Sequence, residues 1–304
     1  MIGSIRSEGL GRDGDDTMVT AYLGPRGTFS EDAAISYAGP EGELLPLASI
    51  PALVAAVETG LANNAVLPIE NSIEGAISTT LDLLIHETDL SIVAELIVRV
   101  RLYLITVPGA TLGDIKVVAS HSNPLGQSRR FLERCLPQAT QIASLSTAVA
   151  VRDVMEAGDP SRAAIGTLSA ATMFGGQILA RDIQDVQTNV TRFVALAASR
   201  SEPTGDDKTS IAFLLKANVP GALFRVMRPF ADAGIQLTKL ESRPSRTEIL
   251  EYVFLCDFLG HRDDPEIAKA LSGVAEECSM LKVFGSYPRY PLETLAIGSP
   301  GDRQ

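Results

Sequence analysis

Two changes of rhythm along the chain constrain its fold more than any single residue does. Up to about Arg200, short apolar runs near residues 20–23, 64–67, 117–119 and 163–165 alternate with helix-spaced segments near 31–37, 50–59, 124–134 and 147–157. Such alternation predicts α/β layers. Ser49 stands where a cap would precede the second helix, with Pro51 in its first turn, where no amide donor is needed. The long β-branched stretch 92–107 predicts a strand that crosses from one lobe to another. A polar segment with Gly and Pro, 199–208, then serves as a linker. Beyond it the order becomes strand 209–215, helix 221–233, strand 236–242, strand 250–257, helix 265–278 and strand 281–287. This βαββαβ order is the split, ferredoxin-like α+β arrangement. Leu223, Val226, Met227 and Phe230 recur at helical spacing, Gly234 follows the helix end, and Pro229 predicts a kink.

Composition bounds the partners. At 304 residues the chain holds about two domains at roughly 150 residues each. With 45% hydrophobic residues it can bury sizeable cores. A net charge of −11 without a Lys/Arg block excludes nucleic acid and anionic membrane as expected partners, because phosphate binding needs a concentrated basic surface. Residues 1–18 read as a disordered extension and 289–304 as a tail. No apolar run reaches the roughly 20 residues of a spanning helix. Cys135, Cys256 and Cys278, like His86, His121 and His261, are too scattered for a metal set. The expectation is a cytoplasmic chain with buried free thiols, no metal and no cofactor.

Four segments carry polar chemistry at predicted strand ends. Gly24-Pro25-Arg26-Gly27-Thr28-Phe29-Ser30-Glu31 is a Gly-rich turn with Ser30 poised as a helix cap, and reads either as an anion-receiving turn or as a plain capped one. In Leu67-Pro68-Ile69-Glu70-Asn71-Ser72-Ile73-Glu74-Gly75, polar Glu70, Asn71 and Ser72 follow an apolar strand at the edge where α/β proteins hold ligands, and a capped loop is the equal alternative. Ser120-His121-Ser122-Asn123 with Gln127 opens a helix, and His121 lacks a partner that would make it a base. The fourth, Asn189-Val190-Thr191-Arg192-Phe193, sets a hydroxyl, a guanidinium and an aromatic side by side, suited to a small aromatic or pre-aromatic anion. In an extended chain Asn189, Thr191 and Phe193 share one face and Arg192 the other.

Taken together these segments resemble prephenate dehydratase, which makes phenylpyruvate in phenylalanine biosynthesis. The resemblance runs from Val19 to Pro288 and includes Ala163-Ala164-Ile165-Gly166 beside the four segments above. Its C-terminal part is similar to the family's ACT regulatory domain at Lys208-Thr209-Ser210, Gly221-Ala222-Leu223, Glu241-Ser242-Arg243-Pro244 and Gly285-Ser286-Tyr287-Pro288. It implies a two-lobed, periplasmic-binding-protein-like α/β catalytic domain over 19–200, an ACT domain over 208–288, and crossing segments at 92–107 and 185–191. By motif, Thr191 is the catalytic hydroxyl. Thr28, Glu70, Asn71, Ser72, Gln127, Arg192 and Phe193 are substrate-site residues. Gly221, Ala222, Leu223 and the loop Glu241, Ser242, Arg243, Pro244 are the phenylalanine-sensing site. The implied partners are prephenate, L-phenylalanine as effector, and copies of the chain in a homodimer or homotetramer. Ser122-Asn123 and Ser128 depart from the family's usual Pro-Gln and Cys. No helical segment precedes the Gly24 loop, so a monofunctional chain without a fused chorismate mutase is expected. Arogenate dehydratase and a non-catalytic amino-acid sensor are the rival readings.

Overall fold

The computed structural model describes residues 18–245 and 251–291; the expected extension, most of the expected tail, and the segment 246–250 lie outside the described residues. The described chain forms two compact units, one of residues up to Thr80 with Ile97–Phe193, the other of Leu81–Leu96 with residues from Val194 onward.

The first unit is built on two sheets. One is ordered β2 (Glu43–Leu47), β1 (Val19–Leu23), β3 (Asn64–Asn71), β11 (Val190–Ala197), β5 (Ser91–Arg99), with β4 (Gly75–Ala76) paired to β3. The division between units falls within β5 and β11. β1 pairs parallel to both β2 and β3, and β3 is buried from Asn64 to Ile69, as a strand covered on both faces must be. Helices α1 (Phe29–Ala38) and α2 (Ile50–Glu58) connect these strands, and the short α3 (Ser78–Asp82) follows β4. Ser49 Oγ accepts from Ala52 N, the cap expected for α2.

The other sheet is ordered β10 (Gln177–Ala180), β6 (Tyr103–Thr106), β9 (Arg162–Gly166), β7 (Val117–Ser120), β8 (Thr140–Ala143). α6 (Thr147–Ala157) lays Ala150, Val151 and Val154 against Tyr103, Ile105 and Ala164. On the opposite side Leu104, Val118, Leu132 and Ile165 close a second core layer. The predicted helix 124–134 is two helices, α4 (Ser122–Gln127) and α5 (Arg129–Cys135), separated at Ser128. Likewise 92–107 is two strands in two sheets, because the chain leaves β5 at Val100 and re-enters β6 at Tyr103. At this crossover it bonds the second crossing segment and the two residues before it: Val100 N donates to Asn189 O, Ile183 N to Leu102 O, and Leu102 N to the buried Gln184 Oε1.

In the second unit a four-stranded antiparallel sheet runs β13 (Leu237–Pro244), β14 (Tyr252–Leu259), β12 (Asp207–Leu215), β15 (Cys278–Pro288). Helices α8 (Ala222–Asp232) and α9 (Pro265–Glu277) cover one face, giving the βαββαβ order. The packing explains several motifs. A Cβ on Gly285 would sit 2.2 Å from Ile92 O, so only Gly admits the β5 backbone there. Ser210 hydrogen-bonds Asp257 and Tyr287, and Thr209 pairs with Ser286, so two successive residues of β12 are tied by side chains to the flanking strands. Lys208 Nζ meets the buried Glu95 carboxylate at 2.7 Å. The segment Leu81–Leu96 is thus fastened to the C-terminal sheet by ion pair and close packing together.

Candidate active site

The site grows from the tight connection between β3 and β4. Asn71 Oδ1 accepts from the backbone amides of Ile73 (2.9 Å) and Glu74 (3.0 Å), an Asx turn that closes the hairpin. Backbone amides only donate, so this contact turns the Asn71 Nδ2 outward. That nitrogen donates to Thr191 Oγ1 at 3.0 Å, Asn189 Oδ1 at 2.9 Å and Val190 O at 3.1 Å. Ser72 extends the pairing, its amide donating to Val190 O and its Oγ accepting from Val190 N. Asn189, 1% exposed, turns its own Nδ2 to Gln127 Oε1 at 3.1 Å, and Gln127 Nε2 donates to Glu74 Oε1 at 3.1 Å. Asn71, Ser72, Gln127 and Thr191, scattered across the sequence, therefore lie in one hydrogen-bonded cluster. Asn189 and Glu74 join it, two residues that stand inside the polar segments of the sequence but to which the sequence alone assigns no role in the site.

The neighbours of Thr191 on β11 go elsewhere. Strand alternation sends Arg192, half-buried, to the opposite face. Phe193 is 1% exposed, so its ring is enclosed in the core and is not open to a ligand. Glu70, half-buried on β3, pairs in register with Ala76 of β4.

The Gly24–Glu31 loop has a different organisation from that expected. Thr28, not Ser30, caps α1, because the helix begins at Phe29, one residue before Ser30. Thr28 Oγ1 accepts from Glu31 N and donates to Pro25 O, which occupies the hydroxyl proposed for substrate. The buried Glu31 carboxylate gathers Tyr22 Oη, Arg26 Nε and Gly27 N (2.6 Å), so Arg26 is paired within the loop. Burial, with Glu31 as hydrogen-bond partner, pushes the Tyr22 phenol well above its usual range. Gly27, at φ +81°, abuts Ala170, and its carbonyl accepts from Thr167 Oγ1, the cap of α7 (Leu168–Phe174). The adjacent contact of Ser169 Oγ with Asp32 tempers an Asp32 pKa raised by desolvation. His121 Nδ1 accepts from Asn123 N and caps α4.

In the second unit Gly221, at φ +80°, is the cap of α8, followed by Ala222 and Leu223 in its first turn. Glu241, Ser242, Arg243 and Pro244 are not a loop. They form the end of edge strand β13, in register with Leu255, Phe254, Val253 and Tyr252 of β14, because backbone pairing carries the strand through to Pro244. Arg243 Nη2 donates to Asp82 Oδ1 at 2.6 Å, a pair 15% and 5% exposed. Among the described residues no cluster of His, Cys, Asp and Glu could hold a metal, and no helix is long and apolar enough to cross a membrane.

Two α/β layers with a polar amide cluster at their strand ends, continued by a βαββαβ domain, define a recognisable class. A model of prephenate dehydratase matches residues 20–201, and a model of the ACT domain matches residues 209–276. A prephenate dehydratase of Mycolicibacterium gilvum is 41% identical over 281 residues, which are 88% of this chain and 90% of that protein. The solved prephenate dehydratase from Arthrobacter aurescens, in complex with L-Phe, matches with a TM-score of 0.82 at 33% identity, over 90% of each chain. A structure described as a novel type of quorum-quenching acylase matches with a TM-score of 0.81 at 30% identity, over 90% of this chain and 99% of that one. The chain belongs to the prephenate dehydratase family and carries that family's catalytic and ACT domains.

Proposed function

We infer that this protein converts prephenate to phenylpyruvate, CO2 and water, with Thr191 as the group that assists departure of the ring hydroxyl. Family membership supports the reaction, and the hydrogen bond from Asn71 Nδ2 to Thr191 Oγ1 carries the assignment of the residue. A hydroxyl has one proton and two lone pairs; with Asn71 donating to a lone pair, the Thr191 proton is directed away from it, as a donor requires. In the reaction the ring carboxylate leaves as CO2, its bonding electrons enter the ring, and the C4–O bond breaks. The departing oxygen gains a proton to become water, and aromatisation drives the change. A threonine is too weak an acid to hand over a free proton at neutral pH. Thr191 therefore stabilises the departing oxygen by hydrogen bonding in the transition state, and the net proton comes from solvent.

We assign Asn71, Ser72 and Gln127 to the substrate wall, with Glu70 and Thr28 as further proposed contacts. The pyruvyl carboxylate is assigned to Arg192, whose long stem must bring the guanidinium round from the opposite face. Holding that carboxylate, and not the one that leaves, avoids stabilising the ground state. Phe193 supports β11 from the core.

We assign regulation by L-phenylalanine to the ACT domain, supported by the L-Phe complex of the Arthrobacter relative. Gly221–Leu223 and Glu241–Pro244 are the proposed contacts. We propose domain bounds of 19–200 and 208–288, a cytoplasmic location, and assembly of two or four copies through ACT domains. The edge position of β13, with Leu240 exposed, supports that assembly.

The test is phenylpyruvate formation by purified protein from prephenate, with arogenate run alongside, each with and without phenylalanine. Turnover of prephenate that changes with phenylalanine is expected. Preference for arogenate would reassign the substrate, and hydrolysis of an acyl amide in place of both would point to the activity that names the quorum-quenching neighbour. Phenylalanine binding without turnover of any of them would leave a sensor.

A further inference from the structure

We propose that Glu74 is a positioning residue for this reaction, its carboxylate anchoring the chain of side-chain amides that ends on Thr191. The inference rests on Thr191 being the catalytic donor. Starting at Glu74, Oε1 accepts from Gln127 Nε2, Gln127 Oε1 accepts from Asn189 Nδ2, Asn189 Oδ1 accepts from Asn71 Nδ2, and the same Asn71 nitrogen donates to Thr191 Oγ1. Every amide in this chain has two chemically different ends of nearly equal size, and each is useful only one way round. The chain is pinned by groups that cannot reverse. At one end the backbone amides of Ile73 and Glu74 can only donate to Asn71 Oδ1. At the other an ionised carboxylate can only accept, which holds Gln127 with its nitrogen toward Glu74 and its oxygen toward Asn189.

Glu74 also spans two elements. It stands in the β3–β4 hairpin of one sheet, whereas Gln127 ends α4, which opens from β7 of the other. Its charge-assisted bond thereby fixes how closely that helix end meets Asn189. Loss of such an anchor loosens the geometry at the reacting oxygen while leaving Arg192, assigned to the pyruvyl carboxylate, in place.

Steady-state kinetics on prephenate would test this with Glu74→Ala, Gln127→Glu and the exchange Glu74→Gln/Gln127→Glu, each checked for a native melting transition. Glu74→Ala is expected to lower kcat about tenfold with KM within about threefold. Gln127→Glu sets two carboxylates face to face and is expected to fall about 100-fold. In the exchange, the carboxylate now at position 127 accepts both from the amide at position 74 and from Asn189. It should therefore recover at least about tenfold in kcat over Gln127→Glu alone. Wild-type kcat in Glu74→Ala, or an exchange no better than Gln127→Glu, overturns the proposal. Thr191→Val, run in parallel, separates the two levels. An impaired Thr191→Val beside an unimpaired Glu74→Ala refutes the anchor alone, whereas an unimpaired Thr191→Val removes the catalytic reading beneath it.

Discussion

The Asn71 side-chain nitrogen lies 3.0 Å from Thr191 Oγ1 and 2.9 Å from Asn189 Oδ1, so one amide orients both the hydroxyl assigned to catalysis and the buried residue two positions before it. The Asx turn across Ile73 and Glu74 sets that amide before any substrate arrives. Local turn chemistry in the sequence thus reaches directly into the reacting geometry.

Replacing Asn71 by Asp isolates this relationship. An Asp keeps the oxygen that accepts from Ile73 and Glu74, so the hairpin survives, but it substitutes an acceptor for the donor facing Thr191. The expected result is a kcat lowered about 100-fold with a melting temperature near wild type, read by prephenate kinetics and thermal denaturation.

Arg192→Lys removes the bidentate fork and keeps the charge. KM for prephenate should rise about tenfold with kcat within a few-fold. An unchanged KM would place Arg192 outside the substrate site, as its position on the opposite face of β11 already demands be tested.

Arg243 and Asp82 form a nearly buried ion pair within the second unit. Removing one partner strands a charge, so Arg243→Met should cost about 3–5 kcal/mol of stability. Arg243→Met/Asp82→Leu should recover most of it, as measured by denaturant unfolding. Because Arg243 is also a proposed effector contact, the single variant should shift the phenylalanine concentration giving half-maximal response.

Burial, with Asp257 adding to it, raises the Cys256 thiol from 9.0 to about 12, and burial with Glu277 raises Cys278 to about 11. A folded pKa above the unfolded one contributes stability that is complete below about pH 9 and is lost as pH climbs toward the folded values. Unfolding free energy should therefore decline above about pH 9, and less steeply in Cys256→Ala. At neutral pH an alkylating reagent should label the half-buried Cys135 before either of the others.

Features that depend on local chemistry are legible in the sequence. The Ser49 cap, the βαββαβ order and the alternation that separates Thr191 from Arg192 all follow from spacing along one segment. The α1 cap is not legible, because Ser30 is as good a capping residue by type as Thr28. The break at Ser128 carries no Pro and no usable Gly signal, so residues 124–134 read as one helix. Glu241–Pro244 is a loop only by the family resemblance, whereas the strand read over 236–242 is the better guide, and pairing with β14 carries it on to Pro244. Glu74 and Asn189 stand inside two of the polar segments, yet their roles are illegible for a different reason. Their partners lie 53 and 62 positions away at Gln127, and only the folded chain brings an acceptor-only carboxylate to one end of that amide and Asn189 to the other.

If the Thr191 hydroxyl acts in the transition state, kcat of Thr191→Val on prephenate shows it most directly. Valine keeps the branched shape and removes only the donor and acceptor oxygen. A kcat reduced by about 10²–10⁴ in a folded protein is the predicted result. A Thr191→Val enzyme turning over within a few-fold of wild type would contradict it.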